Sequence, residues 1–208
     1  MTRAQKKRQE MREAIRNAAI REFAQGGLAG TSTQMIAQSA GITKAQLHYY
    51  ISSKEALYQE VLGHIVSEWR EIFFLGPSSD DPREVITSYI RRKLKHALEH
   101  PEISRLFASE IASGAPHMPA HWDQLRASVD EASAVIRAWI DEGRIAPVDP
   151  LLFQINIWAV TQHYAEYEAQ ARILTGAPEG QPLDATRIIN EATQLFLSRC
   201  GLTEQGTP

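Results

Sequence analysis

Within GITKAQLHYY (41–50) an ammonium, a carboxamide, an imidazole and two phenols fall inside seven residues. These are groups that exchange hydrogen bonds with base edges and phosphates. Gln46 can address a base bidentately, Lys44 can reach guanine or a phosphate, and Thr43 and Tyr49 can bond backbone oxygens. On a helix, Leu47 and Tyr50 at i, i+3 turn inward. Thr43, Lys44, Gln46, His48 and Tyr49 are then left outside. A second chemical signal is Gln162, one turn from Trp158 in an otherwise apolar stripe. A buried carboxamide without a partner costs about 1–3 kcal/mol, so a backbone group, a water or a ligand is expected against it. A ligand with adjacent acceptor and donor atoms matches a carboxamide with two hydrogen bonds, and its ring can stack on Trp158.

Other polar residues do not assemble into chemistry. His96, His100, His117 and His121 do not share a helix face with a supporting carboxylate and read as surface histidines; no metal is expected. His163 reads as a dimer-rim residue and Cys200 as incidental packing, in a reducing compartment. No nucleophile sits at a recognisable spacing from a base, and no glycine-rich loop is built for phosphate. An enzyme is not expected, nor a cofactor.

The elements that must position these groups are helical. Gly and Pro punctuate apolar periodicity of the helical kind, giving segments 6–25, 32–39, 43–50, 53–75, 82–99, 102–113, 119–142, 149–174 and 184–199, with no period-2 strand. Thr31-Ser-Thr-Gln34, Thr43-Lys-Ala-Gln46 and Ser52-Ser-Lys-Glu55 each have the S/T-x-x-E/Q form of a capping box. Counting from Thr33, small Ala37 falls fifth and Gly41 ninth, with Ile36, Ile42 and Leu47 between and after. That is the requirement of a helix-turn-helix: a small residue where helices cross, a glycine at the turn, aliphatics pinning the second helix.

Charge is distributed unevenly. The chain of 208 residues carries −3 overall, yet residues 1–50 hold eight basic and three acidic residues, +5, leaving −8 for the rest. A basic head on an acidic body points to a polyanion at one end. No apolar run is long enough for a bilayer, and the N-terminal stretch lacks the apolar core of a secretory leader, so a cytoplasmic protein is expected. Segment 149–174 is apolar on two opposite faces: Ile155, Trp158, Gln162, Ala165 and Ala169 on one, Phe153, Ile157, Val160, Tyr164 and Tyr167 on the other. Both must be covered. One face lining the domain and the other meeting a second copy, with 184–199 alongside, makes a four-helix homodimer interface.

The stretch TSTQMIAQSAGITKAQLHYYISSKEALYQEVL, with its AG-I-T core, L-x-Y-Y segment and SKEALY, resembles the DNA-binding domain of the TetR family of transcriptional regulators. The resemblance covers residues 10–62. It implies an all-α fold with a three-helix DNA-binding head at 1–52 and a ligand-binding and dimerisation domain at 53–208. It further implies a homodimer, commonly a repressor, on palindromic double-stranded DNA, with 43–50 as recognition helix and Lys54 on a phosphate. The expected DNA-contacting set is Thr33, Thr43, Lys44, Ala45, Gln46, His48, Tyr49 and Lys54. Ala45, His48 and Ile51 stand where glycine, tyrosine and phenylalanine are frequent in the family.

The second domain is similar to the branch of the family that regulates pyrimidine utilisation. Trp69, Tyr89-Ile-Arg, Arg105-Leu-Phe with Glu110 and Gly114-Ala-Pro, and Ile157-Trp-Ala-x-Thr-Gln-His-Tyr-Ala carry the similarity. It implies that Trp69 and Trp158 wall a uracil- or thymine-like base whose amide edge Gln162 reads. Phe73, Phe74 and Phe107 complete the expected ligand-binding set, and Glu110 is expected either in an ion pair near Arg105 or tuning the site. The alternatives are another flat amide metabolite or a xenobiotic as effector, an enzyme acting on a pyrimidine, and an architectural DNA binder without an effector.

Overall fold

The computed structural model describes residues 2–72, 80–178 and 180–202. Among these residues there are ten α-helices, one 3₁₀ turn and no strand. The helices are α1 Arg3–Gly30, α2 Thr33–Ser39, α3 Lys44–Tyr50, α4 Lys54–Ile72, α5 Pro82–Glu99, α6 Pro101–Ala112, α7 Trp122–Asp141, α8 Pro150–Glu166, α9 Glu168–Thr175 and α10 Ala185–Arg199. The chain forms two compact units. One comprises Met1–Ser67 with Glu102–His121, the other Glu68–Pro101 with Trp122–Pro208.

In the first unit α1 packs on α2 and α2 on α3. α1 is broken at Gly27, whose φ of 61° lies in the left-handed region. The α2–α3 turn passes through Gly41 at φ 70°, where a side chain would be strained, and Ile42 N–H bonds back to the Ala37 carbonyl at 2.9 Å. Ile36, Ala37 and Leu47 are buried, as a helix-turn-helix demands. The capping boxes are realised unequally. At α3 Thr43 and Gln46 form the full reciprocal box. At α2 the cap is Ser32, which accepts from Met35 N–H, while Thr31 Oγ1 donates to the Glu22 carbonyl of α1. At α4 it is Ser53, accepting from Ala56 N–H, rather than Ser52.

The discontinuous segment completes this unit with one buried carboxylate. Glu110 accepts from the Tyr58 hydroxyl at 3.1 Å and from His117 N–H at 2.6 Å, with His117 Nδ1 at 3.2 Å. Burial, reinforced by this carboxylate, lifts the Tyr58 hydroxyl above its ordinary pKa. Tyr58 also meets Phe23 and His117 edge to face. Glu110 therefore pairs with Tyr58 and His117, and His117 is a structural partner rather than a surface histidine.

In the second unit α5 packs against α8 and α10, and α7 against α8. Their apolar faces make one core that includes Ile86, Ile90, Leu94, Ile136, Trp139, Phe153, Ile157 and Phe196. Asp81-Pro82 and Asp149-Pro150 start α5 and α8, the carboxylate capping the first amides and the proline occupying the first turn. The single helix expected at 149–174 is interrupted: Tyr167 leaves helical geometry at φ −114°, ψ 35°, separating α8 from α9. The fully buried amide of α8 is Gln154, two turns before Gln162. It is 2% exposed and donates to Ser133 Oγ at 2.9 Å and to the Pro150 and Val129 carbonyls at 3.0 and 3.3 Å. It thereby ties α8 to α7.

Candidate functional site

On α3 the only fully buried residue is Leu47, and Tyr50 is half-buried. Thr43, Lys44, Ala45, Gln46, His48 and Tyr49 are all exposed, Tyr49 at 74%; Thr33 is half-buried at the start of α2. The expected outward face therefore exists as a single surface. Met11 of α1 and Ile42, Gln46, Tyr49 and Tyr50 line one hollow of about 170 Å³, so the third turn of α1 lies beside α3. Arg8 and Arg12 flank Met11 on that helix, and Arg3, Lys6 and Lys7 precede them; all five are exposed. A helix edge with a cationic flank and no acidic residue in the first turn is suited to a phosphate backbone.

Two members of the set have prior commitments. Gln46 Oε1 accepts from Thr43 N–H at 2.9 Å and from Thr43 Oγ1 at 3.1 Å, so the capping box holds its oxygen and presents the amide N–H₂. Lys54 Nζ donates to the Leu28 and Thr31 carbonyls at 2.6 and 2.8 Å, at the end of α1. It serves as a C-terminal cap for that helix, with one proton beyond these two bonds for an outside acceptor.

In the second unit Trp69 of α4 and Trp158 of α8 converge on one side chain. Lys93 Nζ lies 5.4 Å from the Trp69 ring centroid and 5.9 Å from that of Trp158. Both indole N–H groups are engaged: Trp158 donates to the Tyr89 hydroxyl at 2.9 Å, Trp69 to His96 Nε2 at 3.2 Å. His96 is thus buried and an acceptor, not a surface residue. Burial raises the Tyr89 hydroxyl to about 12 and lowers Lys93, 6% exposed, to about 7. Gln162 is half-buried one turn beyond Trp158, and no hydrogen bond of its amide occurs among the described residues. Phe107 lies half-buried on α6, in the first unit. Phe73, Phe74 and residues 76–79 of the following loop lie outside the described residues.

Reading the sequence missed Lys93, gave Tyr89 no role beyond carrying the similarity, and put His96 on the surface. All three lie on α5, at positions that fit an ordinary amphipathic helix; a lysine in register with Tyr89, Ile90 and Leu94 was the available signal.

A third feature is apolar. Val148, Leu152, Phe153, Ala159, Val160, Leu195 and Phe196, with Asp149, Asn156 and Arg199, line a groove of about 520 Å³ along α8 and α10. Leu152 and Leu195 are 54% and 57% exposed, and Leu151 and Ile155 are exposed beside them. Ile155 therefore belongs to an outer face of α8, while Phe153 and Ile157 belong to the core. Among the described residues, no group of three metal-ligating side chains occurs and no helix is long and apolar enough to cross a membrane.

Residues 15–61 match the bacterial regulatory proteins of the tetR family, and residues 62–203 the C-terminal region of the YcdC-like proteins. The chain is 41% identical over 167 residues to the HTH-type transcriptional regulator RutR of Escherichia coli K12, covering 80% of this chain and 79% of that one. Among solved structures, the ketosteroid transcriptional regulator KstR2 of Mycobacterium tuberculosis superimposes with TM-score 0.73 at 21% identity, covering 93% and 95% of the two chains. AibR in complex with isovaleryl coenzyme A and operator DNA superimposes with TM-score 0.70 at 18% identity, covering 89% and 97%. At these identities the two structures establish the fold.

Proposed function

The chain belongs to the TetR family of ligand-responsive transcriptional regulators, and we propose that it binds a palindromic operator in the cytoplasm as a homodimer released or retained by a pyrimidine base. Support for the effector is the resemblance to regulators of pyrimidine utilisation together with one observation: the two tryptophans that it nominates, Trp69 and Trp158, flank the same lysine. Stacking against an indole face supplies affinity for any flat ring, and the Gln162 amide supplies an acceptor and donors for an imide edge.

The DNA-binding reading assigns base and phosphate contacts to Thr33, Thr43, Lys44, Ala45, Gln46, His48, Tyr49 and Lys54. The dimer reading rests on the exposed leucines of α8 and α10, an apolar surface of the kind a second copy covers. α4 contributes Lys54 to one unit and Trp69 to the other, and coupling through it changes half-site spacing. Such coupling is typically about 1–3 kcal/mol.

The test is selection of duplex sites by the purified protein, followed by gel shift on the winning site with and without uracil and thymine. A selected palindrome whose affinity changes on adding either base is the expected result. An operator affinity indifferent to both defeats the pyrimidine reading and leaves the DNA-binding one in place. A thermal shift gives an independent check, since a ligand at 100 times its Kd adds about 2.7 kcal/mol to the native state.

A further inference from the structure

Lys93 occupies the second unit at 6% exposure, on a stretch of α5 whose neighbours Ile90 and Leu94 are core residues. A Leu or Met at this position fills the same space without the cost of dehydrating an ammonium. That cost is visible in its depressed pKa, about 7. A buried ionisable group with a strongly shifted pKa marks a candidate functional position. Its surroundings narrow that function. The indole N–H groups of Trp69 and Trp158 are spent on His96 and Tyr89, so the tryptophans offer a guest only their apolar faces. Hydrogen bonds to a ring must come from elsewhere: the amine of Lys93 lies over both faces, and the amide of Gln162 follows Trp158 by one turn of α8.

We propose that Lys93 is a polar contact of the effector itself: its ammonium, set against the faces of Trp69 and Trp158, donates to a carbonyl or enolate oxygen of a flat, weakly acidic ring. Protonated, this amine has three donors and no acceptor, and a bond to a carbonyl or enolate oxygen favours that form. It rewards oxygen at the ring position it faces and opposes an amino group there. The site therefore takes dioxo rings of the imide type and rejects their amino counterparts, with Gln162 reading the neighbouring N–H and carbonyl. This inference rests on the pyrimidine reading and adds to it a residue and a selection rule.

Calorimetric titration of the full-length protein with uracil and with cytosine tests it in wild type, Lys93→Met and Lys93→Gln. Wild type is expected to prefer uracil. Lys93→Met should lose roughly ten- to a hundredfold in uracil affinity, the scale of one charge-assisted hydrogen bond, with little change for cytosine, so that the uracil-to-cytosine ratio collapses. Lys93→Gln keeps an N–H donor and should lose less, and it carries the comparison if the methionine variant does not fold. Wild-type discrimination in the substituted proteins overturns the role of Lys93 and leaves the pyrimidine reading intact. Failure of wild type to bind either base overturns both.

Discussion

At the scale of single residues, the burial of Lys93 has a consequence for stability as well as recognition. Its amine titrates at about 7 in the folded protein against an ordinary 10.5. Between those values the unfolded chain holds the extra proton, so stability must rise with pH across that window, and the penalty is fully present below it. Lys93→Met removes the penalty. Urea denaturation of the two proteins should find the methionine variant more stable at pH 7, by an amount on the order of a few kcal/mol that shrinks toward pH 10. A stability difference independent of pH contradicts the assignment. Gln162 gives the complementary prediction. Because its amide makes no hydrogen bond among the described residues, Gln162→Leu should leave the melting temperature nearly unchanged. It should weaken uracil binding about tenfold or more in titration calorimetry, the loss expected for one or two hydrogen bonds.

At the scale of elements, the Thr43–Gln46 box is a structural clamp that also lies on the exposed surface proposed to face DNA. Thr43→Ala removes the cap and releases the Gln46 oxygen. A loss of about 1 kcal/mol in thermal or urea unfolding is expected, accompanied by altered base preference at the position Gln46 faces in site selection. Leu47→Ala, at a position with no exposed surface, should cost about 2–5 kcal/mol in the same assay. Helix-turn-helix spacing was legible because it is local: Ala37, Gly41 and Leu47 each answer to a steric need within fifteen residues. The boxes at α2 and α4 were legible only to within one residue, because Ser32 and Ser53 sit beside equally competent neighbours and Thr31 is drawn away to the Glu22 carbonyl of α1. In the second unit Trp158 and Gln162 could be singled out from one helix. Lys93 could not, since its surroundings exist only where Trp69 of α4 and Trp158 of α8 meet α5. The buried amide was misplaced for the same reason. Gln154 is satisfied by Ser133 of α7, a partner that the periodicity of α8 does not reveal.

At the scale of the molecule, pairing and charge decide operator binding. If α8 and α10 meet their copies, Leu152→Glu combined with Leu195→Glu places carboxylates in an apolar contact, and sedimentation should find monomers. Those monomers should bind a single half-site weakly. Replacing Lys6 and Lys7 by alanine in the exposed first turns of α1 should lower the slope of log affinity against log salt by about one per lost phosphate contact. The other determinant is chain topology. The first unit is assembled from Met1–Ser67 and the remote Glu102–His121, and the Tyr58 hydroxyl finds its acceptor, Glu110, on the second of these. A DNA-reading head built in this way is not a cassette. Grafting residues 1–67 onto a foreign sensor would strand a phenol and an aromatic face without Glu110 and His117, so a working chimera must carry the 102–121 insert as well or replace it with a helix that restores the carboxylate.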